Sequence, residues 1–103
     1  MANSVASKKV ALLELVRSKR VSMTGCQILE GTPNGVLIED CSNVLMSGCT
    51  ILDNRQPQLM INAILWKSSL GYWKGLGNLV QGCRLAVNTL IPEGVVQGHN
   101  VIE

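Results

Sequence analysis

Apolar residues recur along this chain as pairs two positions apart, separated by small and polar corners. Val21 and Met23, then Ile28; Val36 and Ile38; Val44 and Met46, then Ile51 keep this rhythm from Ser18 to Asn54. A period of two marks strands that bury one face, and the runs are too short for helices. Gly25, Gly31, Gly35, Gly48, Asn34 and Asn54 stand at the corners, where the backbone often needs positive φ. The rhythm also repeats. RVSMTGCQILEG (20–31) returns as NVLMSGCTILDN (43–54), with Val21, Gly25, Cys26, Ile28 and Leu29 matched 23 positions on by Val44, Gly48, Cys49, Ile51 and Leu52. NLVQGCRLAVN (78–88) is a shorter third copy. Recurrence at this spacing is the sign of a repeat architecture. Each unit reads as three short strands and three turns, stacked so that every strand runs parallel to its copy in the next unit.

The remaining segments are less regular. Residues 1–8 are polar and are expected to be disordered or to form a cap. Residues 9–17, KVALLELVR, read as a degenerate first coil or a cap. At the 23-residue offset Leu13 and Leu15 fall on Val36 and Ile38, which favours a strand. Farther on, Leu59, Ile61 and Ile64 fall on Val36, Ile38 and Cys41. Cys83, however, follows Cys49 by 34 positions, so 11 residues are extra. They are placed at about 65–77, LWKSSLGYWKGLG, a stretch holding every aromatic of the chain: Trp66, Tyr72 and Trp73, with Lys67 and Lys74 beside the tryptophans. The whole of 1–103 is read as one all-β domain whose repeats run over 18–103, ending on a partial coil, PEGVVQGHNVIE.

The string GVLIEDCSNVLMSGCTILDN (35–54) resembles a coil of the right-handed parallel β-helix found in the pectate-lyase-like superfamily. That family's coils carry G-[IV]-x-I-x-x-[CSN]-x-N-V-x-I-x-G-[NC]-x-I-x-x-N. The resemblance covers 18–54 well and 77–88 fairly. It implies a short member or a fragment: a solenoid of about four coils with a 23-residue repeat and one 11-residue insertion. It specifies fold far more than function, since such scaffolds host lyases, hydrolases, epimerases and fibres. A polysaccharide or oligosaccharide is the partner it implies.

Composition narrows the chemistry. The net charge is +2 with the charges interspersed, so no nucleic-acid footprint is present. No apolar run is long enough for a membrane span. The start is a poor signal peptide, leaving a cytoplasmic protein or a piece of a longer secreted or cell-surface parent. The four cysteines form no C-x-x-C pair and no zinc spacing. Cys26, Cys49 and Cys83 should stack, and a Cys26–Cys49 disulfide is within reach, but small buried thiols are the better reading. His99 sits in Gly98-His99-Asn100, which resembles the Gly-His-Gly of the polygalacturonase branch. The aspartates that accompany it there are missing, so it reads as a corner residue.

Two candidate sites remain. Trp66, Lys67, Tyr72, Trp73 and Lys74 combine flat rings with cations, a surface suited to stacked sugars and acidic groups. The same rings can equally shield the end of the stack or meet another chain. Glu30 and Asp53, 23 apart with Arg55 nearby, should stack as two carboxylates, raising one pKa or recruiting a cation. Lyases of the superfamily hold calcium on such acids. Two acids fall short of the oxygen ligands Ca²⁺ needs, so no metal is assigned. An ion pair is expected between Arg17 and Asp40, also 23 apart. Because a solenoid with open ends exposes apolar core, a homo-oligomer is expected. The resulting expectation is a carbohydrate-binding module with little or no catalysis, the alternative being a self-associating structural module without a ligand. Any activity would be that of a polysaccharide lyase, hydrolase or epimerase.

Overall fold

The computed structural model describes residues 10–86 and 89–102, so the polar segment 1–8 lies outside the described residues. Eleven strands follow in order: β1 (Ala11–Val16), β2 (Ser22–Thr24), β3 (Gln27–Leu29), β4 (Asn34–Glu39), β5 (Leu45–Ser47), β6 (Thr50–Leu52), β7 (Asn62–Lys67), β8 (Leu79–Gln81), β9 (Arg84–Leu85), β10 (Val96–Gly98) and β11 (Val101–Ile102). No helix occurs among the described residues. The strands form three sheets, ordered β1-β4-β7, β10-β8-β5-β2 and β11-β9-β6-β3. All pairings are parallel. The chain visits the three sheets in turn and then returns to the first, one strand farther along.

The 23-residue offset holds through the first two circuits. Leu13 pairs with Val36 and Leu15 with Ile38, so residues 11–16 are a strand of the first sheet. Met23 pairs with Met46, and Ile28 with Ile51. Alternation sends Val36, Ile38, Val44, Met46 and Ile51 fully inward, joined by Ile64, Val80 and Leu85 from the third circuit. Each such aliphatic side chain contributes roughly 1.5–3 kcal/mol when buried.

The corners between the second and third sheets show why glycine recurs. Gly25, Gly48 and Gly82 have φ of +66°, +65° and +63°. Their N–H groups donate to the next circuit, Gly25 to Ser47 O (2.9 Å), Gly48 to Gln81 O (3.1 Å) and Gly82 to Gly98 O (3.0 Å). His99 occupies the same place in the last circuit with φ +56°, so it is a corner residue. Behind this corner lie Cys26, Cys49 and Cys83, all free thiols. Cys49 Sγ lies 3.4 Å from Met23 O, and Cys83 Sγ 3.4 Å from Gln81 O. Burial pushes the Cys49 thiol above its ordinary pKa. Asn100 takes the equivalent place at the end: its Oδ1 accepts the Cys83 N–H (2.9 Å) and its Nδ2 donates to Val80 O (3.1 Å).

The third circuit corrects the placement of the extra residues. Val36 pairs with Ile64 and Ile38 with Trp66, 28 positions on, whereas Leu45 pairs with Leu79, 34 on. The 11 residues are therefore two groups, five in the corner before β7 and six in the corner after it. Leu59 and Ile61 are exposed corner residues and take no core place. Trp66 and Lys67 lie inside β7, outside either insertion. The last circuit is shorter: Leu79 pairs with Val96, and Arg84 with Val101, only 17 positions on. Among the described residues the first sheet has no strand there, and residues 89–95 cross that side without one.

Candidate functional site

The six extra residues after β7 carry the aromatic loop, and they split its side chains between core and surface. Trp73 is only 5% exposed and belongs to the core, where it meets Trp66 edge to face, with ring centroids 5.2 Å apart and planes at 81°. Of the two alternatives for these rings, a ligand surface or a shield over the stack, the packing favours the shield for Trp73, and Trp66 packs against the same core. Trp66 is half-buried, and its indole N–H is buried without an oxygen or nitrogen acceptor. The edge-to-face arrangement suits the ring quadrupoles, setting the positive edge of one indole on the negative face of the other. Tyr72 behaves oppositely, with 53% of its surface exposed, and Lys67 and Lys74 are exposed as well.

Three residues outside the set expected from the sequence, Gly71, Pro92 and Glu93, complete the surface. Gly71, Tyr72, Trp73, Lys74, Pro92 and Glu93 line a cleft of about 360 Å³. Gly94 follows with φ +101°, and a Cβ there would run into Lys74 N and Cα. The backbone at Gly94 is therefore pressed directly against the aromatic loop. Tyr72 offers a ring face, Lys74 a cation and Glu93 a carboxylate, all at the rim. Nothing local in the sequence joins Glu93 to Tyr72, since the contact depends on the shortened last circuit.

Asp53 is a different kind of site. Its side chain is buried and saturated with donors. Oδ1 accepts from Arg55 N (3.0 Å) and Arg55 Nε (2.8 Å). Oδ2 accepts from Arg55 Nη2 (3.0 Å), Leu59 N (2.6 Å) and Met60 N (2.8 Å). Arg55 reaches on to Thr32 Oγ1 (2.6 Å). The Arg55 guanidinium, followed by the backbone N–H groups, holds the Asp53 carboxyl well below the usual carboxylate range, and Asp53 in turn raises Arg55. The Asp53 carboxyl is thus lowered and not raised, because Arg55 and the loop amides outweigh the cost of its burial. Asp53 folds the five-residue insertion and has no lone pair to spare for a substrate. Likewise the Arg17–Asp40 pair does not form: Asp40 Oδ1 takes the N–H (2.7 Å) and hydroxyl (3.1 Å) of Ser69.

Among the described residues, no group of three or more His, Cys, Asp or Glu side chains is placed to share a metal ion. Nor, among the described residues, is any helix long and apolar enough to cross a membrane. No protein-family model, curated protein or solved structure matches the chain.

Proposed function

We propose that the chain is a short right-handed parallel β-helix related to the pectate-lyase-like superfamily, and that it binds a carbohydrate in the Tyr72 cleft without transforming it. The cyclic order of three parallel sheets and the repeated Gly–Cys corner support the fold reading. The observation that carries the function is an exposed tyrosine ring beside Lys74 and Glu93 in a cleft of about 360 Å³. A ring face stacks on the apolar face of a sugar, the ammonium meets uronate or sulfate, and the carboxylate accepts from hydroxyl groups. Of the three rings expected to bind, Tyr72 is the exposed one, while Trp73 is turned into the core.

The test is a titration with acidic and neutral polysaccharides, followed by the fluorescence of the tryptophans under the cleft. One polymer should give a saturable shift, and Tyr72→Ala should weaken it about tenfold, the loss of roughly 1.4 kcal/mol of stacking. A flat response to every polymer, or equal affinity in Tyr72→Ala, would sink this reading.

A second reading has its own observation. β10 and β11 are edge strands, and Val96, Val101 and Ile102 on them are exposed. β2 and β3 are the edges at the opposite end. A second copy could continue both sheets in the same parallel sense, giving an end-to-end assembly module. Light scattering should then report a mass above 11.1 kDa that Val101→Lys returns to the monomer value.

A further inference from the structure

Among the described residues, the first sheet has three strands where the other two have four. The strand it lacks would lie on the free edge of β7, level with β10 and β11. Residues 89–92 cross this side instead, and they close only its beginning, through Thr89 Oγ1, which accepts the Ala63 N–H at 3.1 Å. Beyond that bond an open groove of about 490 Å³ remains, lined by Asn62, Ile64, Leu65, Trp66, Leu90 and Pro92. Leu90 forms one wall while 82% exposed, an apolar side chain with no cover of its own.

We propose that this groove accepts an extended segment of a partner protein as a fourth, parallel strand on β7, with apolar residues at alternate positions. Three observations select this occupant. The floor is a sheet edge, which presents main-chain donors and acceptors in a row. The preceding strands fix its polarity and register: Leu15, Ile38 and Trp66 form one inward column and Leu13, Val36 and Ile64 another, so two alternate apolar side chains extend both. A folded second copy does not fit the place. Its β1 could pair with β7 only if its β2 and β3 filled the space that β10 and β11 already hold. For the same reason the vacancy survives the end-to-end stacking described above. The occupant is therefore a segment free to enter alone, of three or four residues by the volume of the groove. Its site is separate from the Tyr72 cleft, with Pro92 as the shared wall.

A synthetic peptide of residues 10–17, VALLELVR, is a suitable probe, because its parent strand already pairs in parallel in this sheet. The full chain, ¹⁵N-labelled, is titrated and the two tryptophan indole N–H resonances are followed. The Trp66 resonance should shift saturably, and Leu90→Lys, at an exposed position, should weaken binding about tenfold by removing one buried leucine contact. A peptide N-methylated at alternate residues should lose binding, since its side chains are kept while its pairing edge is not. The proposal is overturned by no saturable shift, by equal binding of the N-methylated peptide, or by Leu90→Lys binding as the parent does. Concentration-dependent broadening of the same resonances without peptide would assign the edge to another copy of the chain and overturn it too.

Discussion

Gly48 and Asp53 show how single residues set the path of this chain. Gly48 holds φ +65° in open space, so a β-carbon there meets strain and no clash. Gly48→Ala should cost about 1–2 kcal/mol in urea unfolding, and Gly48→Asn less, because asparagine tolerates left-handed backbone. His99 already sustains that conformation two circuits on in the same column. Asp53 predicts a pH effect. Its folded pKa is depressed, so its stabilisation is complete above the unfolded value near 4 and fades as pH falls below it, toward the depressed folded value. Thermal melts of the parent should therefore drop in midpoint below about pH 4, and Asp53→Asn should melt lower at neutral pH with a flatter acid dependence. An unchanged slope in Asp53→Asn would remove Asp53 from this role. Thiol labelling adds a check: Cys26, partly exposed, should react under native conditions, while Cys41, Cys49 and Cys83 wait for denaturant.

At the scale of elements, the strands were legible in the sequence and the corners were not. Val21, Met23, Gly25 and Cys26 found their partners at a constant offset because sheet pairing allows no drift between neighbouring strands. Leu59 and Ile61 kept the same alternation yet left the core. Their segment is pulled into a corner by Asp53, seven residues away from Met60, and alternation carries no record of that bond. Asn78 was equally hidden. It stands fully buried in the column of Val44, made tolerable because its Oδ1 accepts the Val44 N–H (2.9 Å) and its Nδ2 donates to Cys41 O (3.1 Å). The candidate site was half legible, since its aromatic loop was visible but the division of labour between Tyr72 and Trp73 was not. Neighbours in a loop follow no period, so alternation does not say which ring turns inward. The two rings should answer mutation differently. Trp73→Ala should lose about 3–5 kcal/mol of stability by chemical denaturation, and Tyr72→Ala within about 0.5 kcal/mol of none.

For the whole molecule, the repeats form one compact body, with a Cα radius of gyration of 13.0 Å and extents of 36 × 31 × 23 Å. Both tryptophans pack against the same core as all three sheets. Unfolding followed by tryptophan fluorescence and by far-ultraviolet circular dichroism should therefore coincide in a single transition. An earlier fluorescence transition would mean that the aromatic loop detaches before the sheets separate.

The split insertion has a consequence for how such a chain can change over generations. Five residues entered before β7 and six after it, yet Val36 still meets Ile64 and Met46 still meets Val80. Lengthening a corner adds only a slowly growing closure entropy, about 0.6 kcal/mol per doubling of a flexible loop. The strands can hence stay under strict selection for register while the corners drift in length and composition. New surface chemistry can arise at a corner in a single insertion event, with no compensating change in the stack that carries it.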